Sequence, residues 1–378
     1  MRTSRNLLPR VLLNVALLNV ALLPVAGLVA QASAPAPAPA PAGPPTLKLD
    51  LTGLTPEATL AMGGERGLTG TDDAVWVVDR TSGALTRVDT KGNTSGTPVM
   101  IGKQVCANPL VAFKSVWVAE CGAPALARLN LEGPDAAKPP VMLTSTLRGV
   151  GHLVAGVGSV WMIADPAGTI LRVDPDTNRA VAEISVPGGA QAITFAEGAL
   201  WVAGTTQATV TRINAHTNVV GDTAKVGKGP LALAAGEGAL WVLNTSDGTV
   251  SRVDTKTAKV STTITLGVPA TGGAIVAGEH GVWVSAPGAP LVRIDPTTNH
   301  VSHVFSGPGG GAITIAAGSL WLAATPTDVW RIDPRRVEAT RRFFHMEARR
   351  HGGSETVRDS GVEGPASSRA TRVKRNGE

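Results

Sequence analysis

Residues 227–266 read GKGPLALAAGEGALWVLNTSDGTVSRVDTKTAKVSTTITL, with Trp241 near the middle. Short apolar runs (LALAAG, ALWVLN, TVSRVD) are bounded by Gly, Asn, Asp, Ser and Thr. No helix-length amphipathic segment lies between them, so they read as strands and turns. The stretch predicts strand A over 231–235, a tight turn at Glu237-Gly238, strand B over 239–243, strand C over 249–253 and strand D over about 259–266. Four antiparallel strands in 40 residues make one propeller blade.

The unit recurs. Tryptophan stands at 76, 117, 161, 201, 241, 283 and 321, a period near 40. Arginine follows each Trp by ten or eleven residues, at 87, 128, 172, 212, 252, 293 and 331. Two residues after each Arg comes Asp or Asn: Asp89, Asn130, Asp174, Asn214, Asp254, Asp295 and Asp333. An Asx side chain bonds backbone two residues on and so starts the C–D turn. Glycine stands three before Trp at 158, 198, 238 and 318, where a two-residue hairpin needs positive φ. The fold expected is all-β: a seven-bladed β-propeller of four-stranded antiparallel blades. The Trp rings are expected to fill the wedges between blades. The Arg stems should pack there too, with their heads on Asp, Asn or carbonyls. Trp330 is out of phase and falls in the last strand C.

Outward from the array, residues 1–32 read as a signal peptide: Arg2, Arg5 and Arg10, an apolar run over 11–30, and Ala30-Gln-Ala32 as the cleavage site. The run is long enough to span a bilayer, so an N-terminal membrane anchor is the alternative to a secreted or periplasmic protein. Residues 33–45 form a Pro/Ala-rich linker, favouring extended polyproline II. The propeller is expected over 46–334. Leu47, Leu49 and Leu51 alternate with Lys48 and Asp50 as in a half-buried strand, and the fourth strand of the last blade is expected from 46–61, with 337–344 as the alternative source. Residues 335–378 lose the period and carry eleven Lys or Arg against six acids, a basic segment expected to be disordered, with Phe343-Phe344 as its only docking signal.

That tail accounts for the whole formal charge of +5; residues 33–334 hold 20 basic and 23 acidic residues. The high sequence pI therefore does not argue for nucleic-acid binding. After signal cleavage no membrane span remains, and a closed ring reads as a monomer. Cys106 and Cys121 are the only cysteines, and an even count in an exported chain favours a disulfide. Eleven before and four after Trp117, they are expected to face each other across strands A and B.

Walker loops, G-x-S-x-G, H-E-x-x-H and C-x-x-C are absent from the sequence. His216, His280 and His300 fall in turns of the bottom rim, and a metal pair of His300 and His303 lacks a third ligand. Propeller sites form on the top face, from B–C and D–A loops. There blades 1–3 are the polar ones: Asp79, Glu120 and Asp165 follow their Trp by three or four residues, where blades 6 and 7 have Ala, Pro and Thr. Arg148, His152, Asn108 and Gln191 add polar groups nearby. The ligand-binding candidates are thus Asp79, Glu120, His152, Asp165 and Arg148. If the acids converge, Mg²⁺ or Ca²⁺ is the cation they would hold.

The repeats GALWVLNTSDGTVSRVDTKT (238–257) and GSVWMIADPAGTILRVDPDT (158–177) resemble the virginiamycin B lyase-like propellers and the YVTN/YncE-type surface and periplasmic propellers, over about 66–334. The resemblance implies a seven-bladed ring. For the lyases it also implies ester opening by elimination, with a divalent metal held by acids and a histidine base on one face. Only His152 and Glu120 are candidates for those roles, and no catalytic residue carries over. Two functions follow: a binding or interaction module presenting top-face loops to a protein, glycan or small ligand, or a metal-dependent lyase or related hydrolase.

Overall fold

A computed structural model describes residues 45–121, 125–133, 141–144, 151–269 and 271–341. All belong to one compact unit that starts at Gly43. They form seven sheets, each a run of antiparallel strands A to D from the axis outward. The quoted stretch is blade 5, with strands Pro230–Gly236, Ala239–Asn244, Thr249–Asp254 and Lys259–Thr265. Its ladder pairs Trp241 with Ala234 on one side and Arg252 on the other.

Each Trp belongs to a core cluster shared by two neighbouring blades. Trp241 lies with Val282 and Val284 of blade 6, and Trp321 with Val75 and Val77 of blade 1. Six of the seven rings are wholly buried, and Trp76 nearly so. Four hairpin turns before Trp use a residue and a glycine in succession at positive φ, as at Glu237 (φ 49) and Gly238 (φ 73). That is the twist a two-residue hairpin requires.

The arginines also follow the expectation. In blades 2 to 7 the guanidinium lies over its own blade's Trp ring at 4.7–5.9 Å. Its Nη1 then reaches into the next blade's C–D turn: Arg128 to Asn178 (2.7 Å), Arg172 to Asn218 (3.2 Å), Arg252 to Asn299 (2.8 Å) and Arg331 to Asn93 (3.0 Å). These four asparagines sit in the left-handed region, which Asn tolerates. The Asx turns form as read; Asp254 Oδ1 accepts from the amides of Lys256 and Thr257.

The ring closes with the N-terminal segment. Ala58–Ala61 is strand D of blade 7, antiparallel to Asp328–Ile332. Upstream, Leu47–Asp50 adds a fifth strand to blade 6, parallel to His303–Ser306. One segment therefore stitches two blades, with Leu51 and Leu54 buried between them. At the other end the first residues after the array form a helix. Residues 334–341 are helical, Val337 is fully buried and Glu338 pairs with Arg293 at 2.7 Å. Pro334 starts this helix and its one core-facing valine fastens it to blades 6 and 7. Phe343-Phe344, the rest of the basic segment, and residues 1–44 lie outside the described residues.

The Cys106–Cys121 disulfide forms, with Cα atoms 5.6 Å apart. The facing register does not hold. Strand A of blade 2 pairs Leu110 with Trp117, yet further out Val105 pairs with Glu120. Two extra residues around Ala107–Pro109 shift the register, so the cysteines are diagonal neighbours. Cys106 N–H donates to Ala119 O, and Cys121 N–H to Gln104 O.

Candidate functional site

The A strands are the terminal strands of their sheets, so their free edges face the axis. They enclose a cavity of about 770 Å³ whose walls include Leu68, Leu110, Leu153, Ala232, Leu233 and Ile313. Its top-face end is polar: Glu65, Arg80, Asn108, His152 and Gln191. A second space of about 590 Å³ shares Glu65 and Arg80 and runs toward Gly309–Ala312 of blade 7.

Arg80 is placed by its neighbours. Asp79 Oδ1 accepts the amides of Thr81 (2.9 Å) and Ser82 (3.0 Å), folding the B–C turn of blade 1. Gly83, at φ +76, completes the turn, and its amide donates to Asp79 O. The Arg80 main chain is then held on both sides: its N–H donates to Glu65 O and its C=O accepts from Val105 N–H, both at 2.8 Å. Its Nη2 donates to Asn108 Oδ1 at 3.0 Å, while Nη1 stands 3.8 Å from Glu65 Oε1. A methyl at Gly67 would come within 2.9 Å of Asn108 Oδ1, so only glycine lets Asn108 lie against strand A of blade 1. Burial pushes the Arg80 pKa down, and the Glu65 charge partly restores it.

His152 enters from the D–A loop of blade 3. Gly151, at φ +60, packs on the disulfide; a Cβ there would meet Ala119 Cβ at 2.6 Å and Cys106 Sγ at 3.1 Å. The disulfide thus braces the loop that carries His152. Loss of solvent, and then the Arg80 charge, lowers the His152 pKa to about 4. The imidazole is neutral at pH 7.

The other sequence candidates fall differently. Asp79 and Asp165 are committed to their own turns, Asp165 Oδ1 accepting the Ala167 amide at 2.7 Å. Glu120 is 5 % exposed and accepts the Lys103 amide at 2.7 Å. The acids therefore shape top-face loops by accepting backbone amides, and of the four candidates among the described residues only His152 is on the cavity wall. Arg148 lies outside the described residues. On the opposite rim, His300 is exposed whereas His303 is buried against Phe305, so they do not form a ligand pair.

Among the described residues no three His, Cys, Asp or Glu side chains converge to hold a metal ion. The described residues of the top face accordingly offer no ligand set for Mg²⁺ or Ca²⁺, and no reaction step is derived through one. The reading of the sequence missed Arg80 and Glu65. A signal existed: of the seven residues four after Trp, namely Arg80, Cys121, Asp165, Thr205, Thr245, Pro287 and Thr325, only Arg80 is basic.

No protein-family model and no curated protein matches the chain. Solved structures do match in fold. Virginiamycin B lyase from Staphylococcus aureus is similar with a TM-score of 0.63 at 17% identity, over 73% of this chain and 98% of that one. BamB from Moraxella catarrhalis gives 0.54 at 15%, over 72% and 85%. The WD40 domain of Neurospora crassa Pan2 gives 0.59 at 12%, over 74% and 95%. At these identities the likeness is one of propeller architecture, and it supports that part of the family resemblance rather than the YVTN/YncE-type assignment or any activity.

Proposed function

We propose that the protein is an exported binding module that takes a small ligand at the top mouth of its central cavity. The carrying observation is that Arg80, Asn108, His152 and Gln191, drawn from loops of four blades, line one cavity with polar groups left over. The side chains of His152 and Gln191 make no hydrogen bond within the described protein, and the Arg80 guanidinium makes one, to Asn108. A propeller needs no such groups in order to fold, and polar groups converging on a largely apolar pocket mark a ligand site. Blades 5 to 7 contribute apolar wall there. Export is supported by the 1–32 segment and by the disulfide, which belongs to oxidising compartments. No helix among the described residues is long and apolar enough to cross a membrane.

Thermal-shift screening of a small-metabolite library tests the site. A ligand raises the melting temperature of the wild type by mass action and loses that effect in Asn108→Ala/His152→Ala. Equal stabilisation of both proteins, or a loss confined to changes at His280, moves the site off this face.

A further inference from the structure

The cavity mouth holds one cationic group, Arg80, whose donors are only partly used. A guanidinium has five N–H donors. Arg80 uses one, on Asn108 Oδ1 at 3.0 Å, and the contact to Glu65 at 3.8 Å is too long for a hydrogen bond. Asn108 Oδ1 accepts that bond, and its NH2 group is a further donor beside Arg80. The Gln191 amide adds another. Arg66, which lines the adjoining space, behaves otherwise: its terminal nitrogens are committed to the carbonyls of Met62, Thr325 and Pro326. Arg80 is thus the arginine that keeps its planar fork open toward the cavity.

Charge narrows the ligand. Glu65 is the one carboxylate among the described residues of this wall, 72 % exposed in its side chain and 3.8 Å from Arg80 Nη1. His152 is neutral and brings no second positive charge. A dianion would bring a second charge that Arg80 does not match and that the Glu65 carboxylate repels, whereas a monoanion is matched by Arg80. A planar carboxylate suits two parallel N–H donors. Behind the mouth the walls are Leu68, Leu110, Leu153, Leu231 and Leu233, which favour an apolar body.

We infer that the cavity binds a small amphipathic monocarboxylate, its head on Arg80 and its apolar chain between the A strands. This rests on the binding reading above and deepens it. Arg80 is the ion-pairing residue, Asn108 orients it, and Glu65 limits the charge the site accepts. Octanoate has the size and polarity described; octanamide keeps the shape and loses the charge; inorganic phosphate keeps an oxyanion and loses the chain.

Calorimetry on purified full-length protein separates the outcomes. Octanoate is expected to bind at least about tenfold tighter than octanamide, and phosphate not to bind. Arg80→Gln should weaken octanoate by about tenfold or more and abolish its advantage over octanamide, while Glu65→Gln should tighten octanoate several-fold, about two to five. Equal affinity for octanoate and octanamide, both lost in Asn108→Ala/His152→Ala, overturns the carboxylate inference and leaves the binding site standing. Phosphate binding tighter than octanoate overturns it in favour of a phosphorylated ligand. Absence of octanoate binding to the wild type also overturns it. If Arg80→Gln does not fold, the octanoate–octanamide comparison on the wild type and Glu65→Gln carry the test unaided.

Discussion

At the scale of single residues, the repeat exposes its own defects. The position that is Asn178, Asn218, Asn299 and Asn93 in other blades is Ala258 in blade 5, and it keeps the left-handed backbone at φ 51. Arg212, stacked on Trp201 at 5.9 Å, accordingly has no turn asparagine to reach. Ala258→Asn supplies the missing acceptor and places there a residue that tolerates the left-handed backbone better than alanine. It is expected to stabilise the protein by about 0.5–1.5 kcal/mol in denaturant unfolding. A neutral or destabilising result would mean that the Arg–Asn contact adds nothing between blades. Two histidines set a pH response. His152 and His303 both have pKa values lowered to about 4 from 6.5, chiefly by burial. His303 is 1 % exposed, and its Nε2 is buried without a partner. Below pH 6.5 the unfolded chain takes up protons that the native state refuses until about pH 4, so stability falls as pH drops through that window. The carboxylates with lowered pKa, such as Asp174 and Asp254, act only below their ordinary 3.8. The melting temperature should therefore decline between pH 6.5 and 4, with a shallower slope in His303→Phe. A flat profile there would show both histidines to be readily protonated in place.

At the scale of elements, closure is the weak seam of any ring of blades. Blade 7 takes its fourth strand from Ala58–Ala61, which spares an open edge, and Leu47–Asp50 covers the rim of blade 6. Deleting 46–61 is expected to abolish cooperative unfolding. Deleting 334–378 removes the buried Val337 and the Glu338–Arg293 pair but leaves all four strands of blade 7. Its cost at Val337 should be about 1.5–3 kcal/mol. Thermal unfolding of the two truncations ranks them, and the reverse order would place closure at the C-terminus. Closure was legible in the sequence because a strand-like 46–61 precedes the first complete blade and has no blade of its own. The helix over 334–341 was not, because a single apolar residue, Val337, carries its docking and shows no period. The disulfide pairing was legible from count and position. Its diagonal geometry was not, because a shift of two residues near Pro109 leaves no trace in hydrophobic pattern.

At the scale of the whole molecule, the seven-fold ring is a scaffold and its departures from symmetry are the functional information. Fold was readable because the same Trp, Arg and Asx recur in phase, so each blade confirms the others. The site was readable only in part. Polar asymmetry pointed to the top face of blades 1–3, where the proposed site lies, and His152 is on the cavity wall. The acids Asp79 and Asp165 sit where turns need an Asx acceptor, and composition alone cannot separate an acid that folds a loop from one that faces a ligand. Arg80, one residue from Asp79, is what that turn presents. The most direct test of the account is a crystal structure of the full-length protein with octanoate. The carboxylate oxygens are expected within hydrogen-bond distance of the Arg80 guanidinium, with the chain beside Leu110 and Leu153. Octanoate seated on the opposite rim, or anywhere away from Arg80, would contradict it.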